Sequence, residues 1–138
     1  MDIVAALFVE SFTMRPAPGP STRIDITGAF FSIAAPGPVP VTIEPHLFVL
    51  IRSDAGEPGQ AMLEVVFTRP EAPDTTVARN VSPFSVEPGK FTYRLVKAEL
   101  EFREYGTVEA SCRIGQGPWH VVPLTLLPPA SATDRQPA

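Results

Sequence analysis

Apolar positions in this chain fall in short runs, most of them alternating with polar ones and almost all of them cut off by proline or glycine. Met1 to Phe12 opens with a dense apolar centre and no turn residue, as a strand tied into a sheet would. Met14 to Thr22, with three prolines and a glycine, reads as a rigid link between strands. From Thr22 to Ala35, Ile24 and Ile26 alternate with Asp25 and Thr27, and Gly28 permits a bulge before Ala29 to Ala34 resumes. Pro36 to Pro40 forms a second proline loop. His46 to Ser53 is a continuous apolar run, expected of a strand covered on both faces. Gln60 to Thr68 alternates strictly and follows it after a turn, as in a hairpin.

Beyond the break at Pro70 to Asp74, Thr75 to Val86 supplies a weaker strand that Pro83 marks as an edge or splits into two short pieces. Two periods compete over Phe91 to Phe102. Phe91, Leu95, Ala98 and Phe102 would line one face of a helix, whereas Val96, Ala98, Leu100 and Phe102 alternate with charged residues and favour a strand after a one-residue change of phase. Tyr105 to Gly115 alternates Val108, Ala110, Cys112 and Ile114 against polar neighbours. Trp119 to Leu127 is a last apolar strand, in which Pro123 marks an edge or bulge. Eight regularly broken strands predict an all-β fold, an antiparallel two-sheet β-sandwich of about seven to nine strands, with a small β-barrel as the alternative.

Composition sharpens this picture. The 138 residues include 17 prolines and 9 glycines, well above the roughly 12% these types usually supply together. Interior prolines remove helix hydrogen bonds and clash with the preceding turn, so a bundle of long helices is excluded. A length of 138 residues suits one core, and no proline cluster is long enough to divide it. Residues 1–127 are therefore expected as a single domain and 128–138 as a disordered C-terminal tail. No repeat of fixed length is visible, which argues against a propeller or solenoid.

Charge excludes more than it suggests. Eleven Lys and Arg against fifteen Asp and Glu leave a net charge of −4, and the arginines are scattered rather than gathered into a basic stripe. Nucleic-acid binding is not expected. The apolar stretch Ile3 to Val9 is too short for a membrane-spanning helix and lacks the basic flank and cleavage site of a secretory signal. Cys112 is the lone cysteine, so a disulfide framework is ruled out and the cytoplasm is the expected location.

Reactive groups do not cluster. His46 lies beside Glu44, and His120 lies between Trp119 and Val121 in an apolar strand. A metal site needs three or four ligands, so two scattered histidines predict neither a metal site nor a catalytic one. Cys112 should point inward, where a thiol is inert. Asp54 and Glu57 share one turn, but calcium needs several converging oxygens, and the glutamates of 99–109 read as a solvated face. Asn80-Val-Ser82 matches a glycosylation acceptor only formally. Phosphate-cradling glycine motifs and the Gly-x-Ser-x-Gly elbow do not occur. No cofactor is expected, and an enzyme is the least favoured class.

The segment Phe84-x-Val86-x-Pro88-Gly89-x-Phe91-x-Tyr93-x-Leu95 resembles one common in immunoglobulin-like sandwiches, where a proline-glycine turn opens a strand of alternating aromatic and aliphatic residues. Together with Met1 to Val9, it makes the chain resemble small stand-alone bacterial β-sandwich proteins. The resemblance implies a fold and no active site, and the antibody-type cysteine pair is missing. The functional expectation is a non-catalytic domain for protein–protein interaction or assembly, discouraged from sheet merging at its proline-bearing edges and so associating as a homo-oligomer, or with a protein partner, through a sheet face. The alternative is a small-ligand or carbohydrate-binding module using exposed aromatics. Adjacent residues in a strand point to opposite sides, so Phe30-Phe31 should expose one ring. Phe31, His46, Trp119 and His120 are the candidate ligand or interface residues. The two apolar faces of Leu47 to Ile51 demand a cover from an opposing sheet, a helix or a second subunit.

Overall fold

The structure, a computed structural model, describes residues 1–19, 21–56 and 59–130. Within them lie eleven strands and no helix: β1 (Asp2–Ala17), β2 (Ser21–Phe30), β3 (Ser32–Ala34), β4 (Val41–Ile43), β5 (His46–Arg52), β6 (Gln60–Arg69), β7 (Ala72–Ser85), β8 (Phe91–Lys97), β9 (Leu100–Phe102), β10 (Gly106–Ile114) and β11 (His120–Leu127). They form a four-stranded sheet in the order β2-β1-β5-β8, a five-stranded sheet in the order β3-β11-β10-β6-β7, and a small β4-β9 pair. Pairing is antiparallel except where β3 runs parallel to β11. None of the sheets closes on itself, so the alternative of a small barrel is set aside.

Alternation decides which side chains enter the core. Register places Phe8 opposite Leu47 and Ala6 opposite Val49 on β1 and β5, and Val65 opposite Cys112 and Phe67 opposite Ala110 on β6 and β10. All eight belong to one buried hydrophobic cluster, joined by Leu124 and Leu126 from β11 and by Ile43, Leu100 and Phe102 from the β4-β9 pair. Burying a residue such as Leu47 or Phe67 is worth about 1.5–3 kcal/mol relative to exposure, which is why the strict alternation in β6 and β10 holds these two strands in register.

Several expected boundaries move. Met14 to Thr22 is not a link: β1 continues through Pro16 to Ala17, and β2 begins at Ser21, with Pro16 opposite Thr22. β5 pairs with β1 only over Asp2 to Val9, so from Glu10 onward β1 and β2 form a two-stranded ribbon. Such a ribbon pairs only alternate N–H groups and so has room for a proline. The expected strand at 22–35 breaks at Phe31 into β2 and β3, which belong to different sheets. β7 starts at Ala72, inside the expected break, and β4 was not anticipated after its proline loop.

Phe91 to Phe102 is strand, but in two pieces that pair with different partners, and the helical alternative does not form. Its apparent change of phase is no bulge. β8 keeps one register against β5 throughout; Tyr93 and Leu95 lie on one face, and Val96 enters the core from the other. Pro83 sits on β7, an edge strand as expected. Pro123 lies opposite Glu109 of β10, while β3 pairs with β11 only from Thr125, so its other side is an edge as well. The expected tail falls largely outside the described residues, as does Glu57.

Candidate interaction surfaces

The outward face of the five-stranded sheet carries a chain of charges that only strand order could assemble. Glu64 on β6 lies opposite Arg113 on β10. Its carboxylate accepts hydrogen bonds from Arg113 Nε at 2.8 Å and from Arg79 of β7, whose Nε lies at 2.9 Å and Nη2 at 2.5 Å. These two guanidiniums hold the Glu64 carboxyl below its ordinary range, the Arg79 bonds being the larger cause. The Arg113 guanidinium also lies 4.2 Å from the ring centre of Trp119, a cation–π contact. Met62 (45%), Val81 (43%), Trp119 (45%) and Val121 (49%) stay exposed beside these charges.

A second surface forms on the side of the four-stranded sheet turned away from the core. Phe8 packs against Phe30 at 6.1 Å between ring centres. Phe12, four residues on, would lie on the same side of an unbroken strand. Instead it lies 5.2 Å from Phe48 and 5.0 Å from Tyr93, which themselves stack at 5.6 Å. Phe48 is opposite Leu7 and therefore faces away from Phe8. The crossing occurs at Glu10 and Gly28, where the β1-β2 ladder lapses, Gly28 adopts φ +65°, and Glu10 lies over it. Because both strands turn over together, the register on either side is unchanged. Beyond the aromatic trio, Met14, Ile24, Leu50, Phe91 and Tyr93 line an apolar cleft of about 370 Å³ with Arg23 beside them. The outer apolar face of β5 is thus covered by the chain's own ribbon, a source of cover the sequence reading did not include.

The four candidate residues do not converge on one site. Trp119 and His120 line a hollow of about 140 Å³ with Met1 and Ile3. Phe31 is 55% exposed between β2 and β3, with its carbonyl accepting from Thr125 N–H. Phe30 packs against the core. His46 is half-buried at the start of β5, between Val9 of β1 and Lys97 of β8, and Lys97 pairs with Glu44. Among the described residues no group of three or more His, Cys, Asp or Glu is placed to hold a metal ion. Asp54 pairs with Arg52 at 3.2 Å. Cys112 is fully buried, and burial pushes its thiol up to about 12, which leaves it unreactive near neutrality.

Sequence reasoning missed Glu64, Arg79, Arg113 and also Arg94 of β8, whose Nη2 donates to the Pro83 carbonyl of β7. The first three each sit at polar positions of expected strands, so their outward direction was legible, but their union depends on β6 lying between β7 and β10. Among the described residues no helix is long and apolar enough to cross a membrane. The chain matches no protein-family model, and no curated protein sequence matches it.

Proposed function

We propose that the chain is an immunoglobulin-like β-sandwich acting without catalysis in protein–protein interaction or assembly, and that a second copy covers the outward face of its five-stranded sheet. The carrying observation is the exposed group Met62, Val81, Trp119 and Val121 around charges that are already paired with one another. An interface centre is poor in unpaired charge and rich in aromatics and Met. Glu64 needs no countercharge from a partner, and of its two cations Arg113 also lies over the Trp119 ring. The proline-bearing strands β7 and β11 also favour contact through the face over pairing along these edges. A reducing compartment, the cytoplasm, suits a single buried thiol.

Trp119 is the only tryptophan, so its fluorescence reports on this face. As protein concentration rises, the emission should move to the blue and iodide quenching should weaken severalfold; Val121→Asp should abolish both changes. Quenching that stays constant up to high concentration would reject self-association through this face.

A second reading, a module for a small apolar ligand, is supported by the cleft between Met14, Ile24, Leu50, Phe91 and Tyr93. Its volume of about 370 Å³ falls at the small end of the usual ligand range.

A further inference from the structure

We infer that β2 is a self-pairing edge, through which two copies of the chain join their four-stranded sheets into one. β2 is the outer strand of that sheet, and one side of it has no partner among the described strands. Protein edges are ordinarily blunted by charged side chains, lysine above all, by proline or by a bulge, and the two charges of this edge, Arg23 and Asp25, are of opposite sign. The prolines inside strands at the margins of the five-stranded sheet, Pro83 and Pro123, do not guard this one. The segment Ser21 to Thr27 contains no proline and no lysine, and its Thr and Ile content suits a strand. Its pairing with β1 is regular up to the lapse at Gly28.

The two charges of this segment identify the occupant. Arg23 lies directly opposite Arg15 of β1, a like-charge pair. Arg15 turns its Nε to Asp25 at 2.7 Å, while Arg23 has no ion-pair partner among the described residues. In an antiparallel pairing of two β2 strands about a two-fold axis at Ile24, Arg23 faces Asp25 of the second copy, and the converse pair forms by symmetry. Thr22 then faces Ile26, and Ile24 faces its own equivalent. One pairing thus supplies Arg23 with a carboxylate and continues the row of Ile24 and Met14 across the axis.

The other edge of the same sheet lacks this property. β8, Phe91–Lys97, carries Arg94 and Lys97 and no carboxylate, so no register of β8 paired with itself sets a carboxylate opposite either cation. The pairing along β2 is independent of the tryptophan-bearing face and leaves that face open.

The test is sedimentation equilibrium of the full chain with two charge variants, together with disulfide cross-linking of two cysteine variants. In a Val121→Asp background, which removes self-association through the tryptophan-bearing face, the chain should reach twice the 14.9 kDa of one chain. Arg23→Asp should weaken the dimer about tenfold by turning two attractive pairs repulsive, and the exchanged double variant Arg23→Asp with Asp25→Arg should restore it. In Ile24→Cys the introduced thiols meet at the axis and should cross-link under oxidised glutathione. In Ile26→Cys they lie four positions out of register, about 13 Å apart, beyond disulfide reach. A chain that stays monomeric at about 100 μM, where a specific dimer of micromolar Kd would be populated, overturns the inference. So does a dimer that ignores Arg23→Asp, or one that cross-links equally at both positions.

Discussion

Glu64 occupies a polar position of an alternating strand, the kind of site where a glutamate usually does no more than keep the sheet wetted. Here its side chain is only 14% exposed, and it receives two guanidiniums from neighbouring strands. The carboxyl is held below its ordinary value of 4.5, so in that acidic range the unfolded chain binds the proton more readily than the folded one. The stabilisation is therefore complete above about pH 4.5 and is lost as the pH falls through the lowered folded value. Thermal melts between pH 7 and pH 3 should show wild type losing more stability than Glu64→Gln below pH 4.5. Parallel curves would mean that the two arginines contribute nothing specific to the folded state. The direction in which Glu64 points was readable from the period of two in β6. Its partners were not, because Arg79 and Arg113 stand 15 and 49 residues away and only sheet order brings them together.

At the scale of an element, the ribbon of β1 and β2 was the hardest part of the chain to read. Its hydrophobic period is correct on each side of Glu10 and Gly28, but the face it points to changes between them. Pattern alone gives no sign of that change, since Phe8 and Phe12 have the spacing of one continuous face. Gly28 was legible as an irregular position, and its φ of +65° is the backbone geometry that lets β2 turn over. A Cβ added at Gly28 would lie 2.4 Å from Glu10 Cδ, so the carboxylate side chain would have to swing away. Gly28→Ala should accordingly lower stability by about 1–2 kcal/mol, as read from urea denaturation. A larger effect on the ribbon than on the core should appear as loss of the near-ultraviolet signal from Tyr93, which Phe12 packs against. An alanine variant as stable as wild type would show that the left-handed turn is not required there. β8 poses the opposite case. Its Phe91, Tyr93 and Leu95 lie on the ribbon side while Val96 enters the core from the other, which the sequence presented as a conflict of phase.

Over the whole molecule, the prolines do more than separate strands. Pro83 removes an N–H from the margin of β7 yet keeps its carbonyl, and Arg94 of β8 donates its Nη2 to that carbonyl. Arg94 stands opposite Val49, on the inward side of the four-stranded sheet. It therefore ties the edge of one sheet to the edge of the other, and an inward-pointing charge on an edge strand also discourages foreign pairing. Neither function was visible along the chain, because both require β7 and β8 to end up at the same margin in different sheets. The tie is not free of cost: Arg94 Nε is buried without a hydrogen-bond partner. Hydrogen bonds from charged donors stabilise by about 1.5–3 kcal/mol, and a buried unpaired donor costs about 1–3 kcal/mol, so the two contributions largely offset. Arg94→Met, which keeps the length of the stem and removes both, should leave global stability within about 1 kcal/mol of wild type. Its effect should instead be local, since nothing then spans from β8 to Pro83. Backbone amides of β7 around Pro83 and Phe84 should exchange with solvent about tenfold faster, while those of β6 and β10 in the middle of the same sheet keep their protection. Uniform acceleration across the sheet would mean that Arg94 supports the core as a whole, and unchanged exchange at β7 would mean that the two sheets hold together at this margin without it.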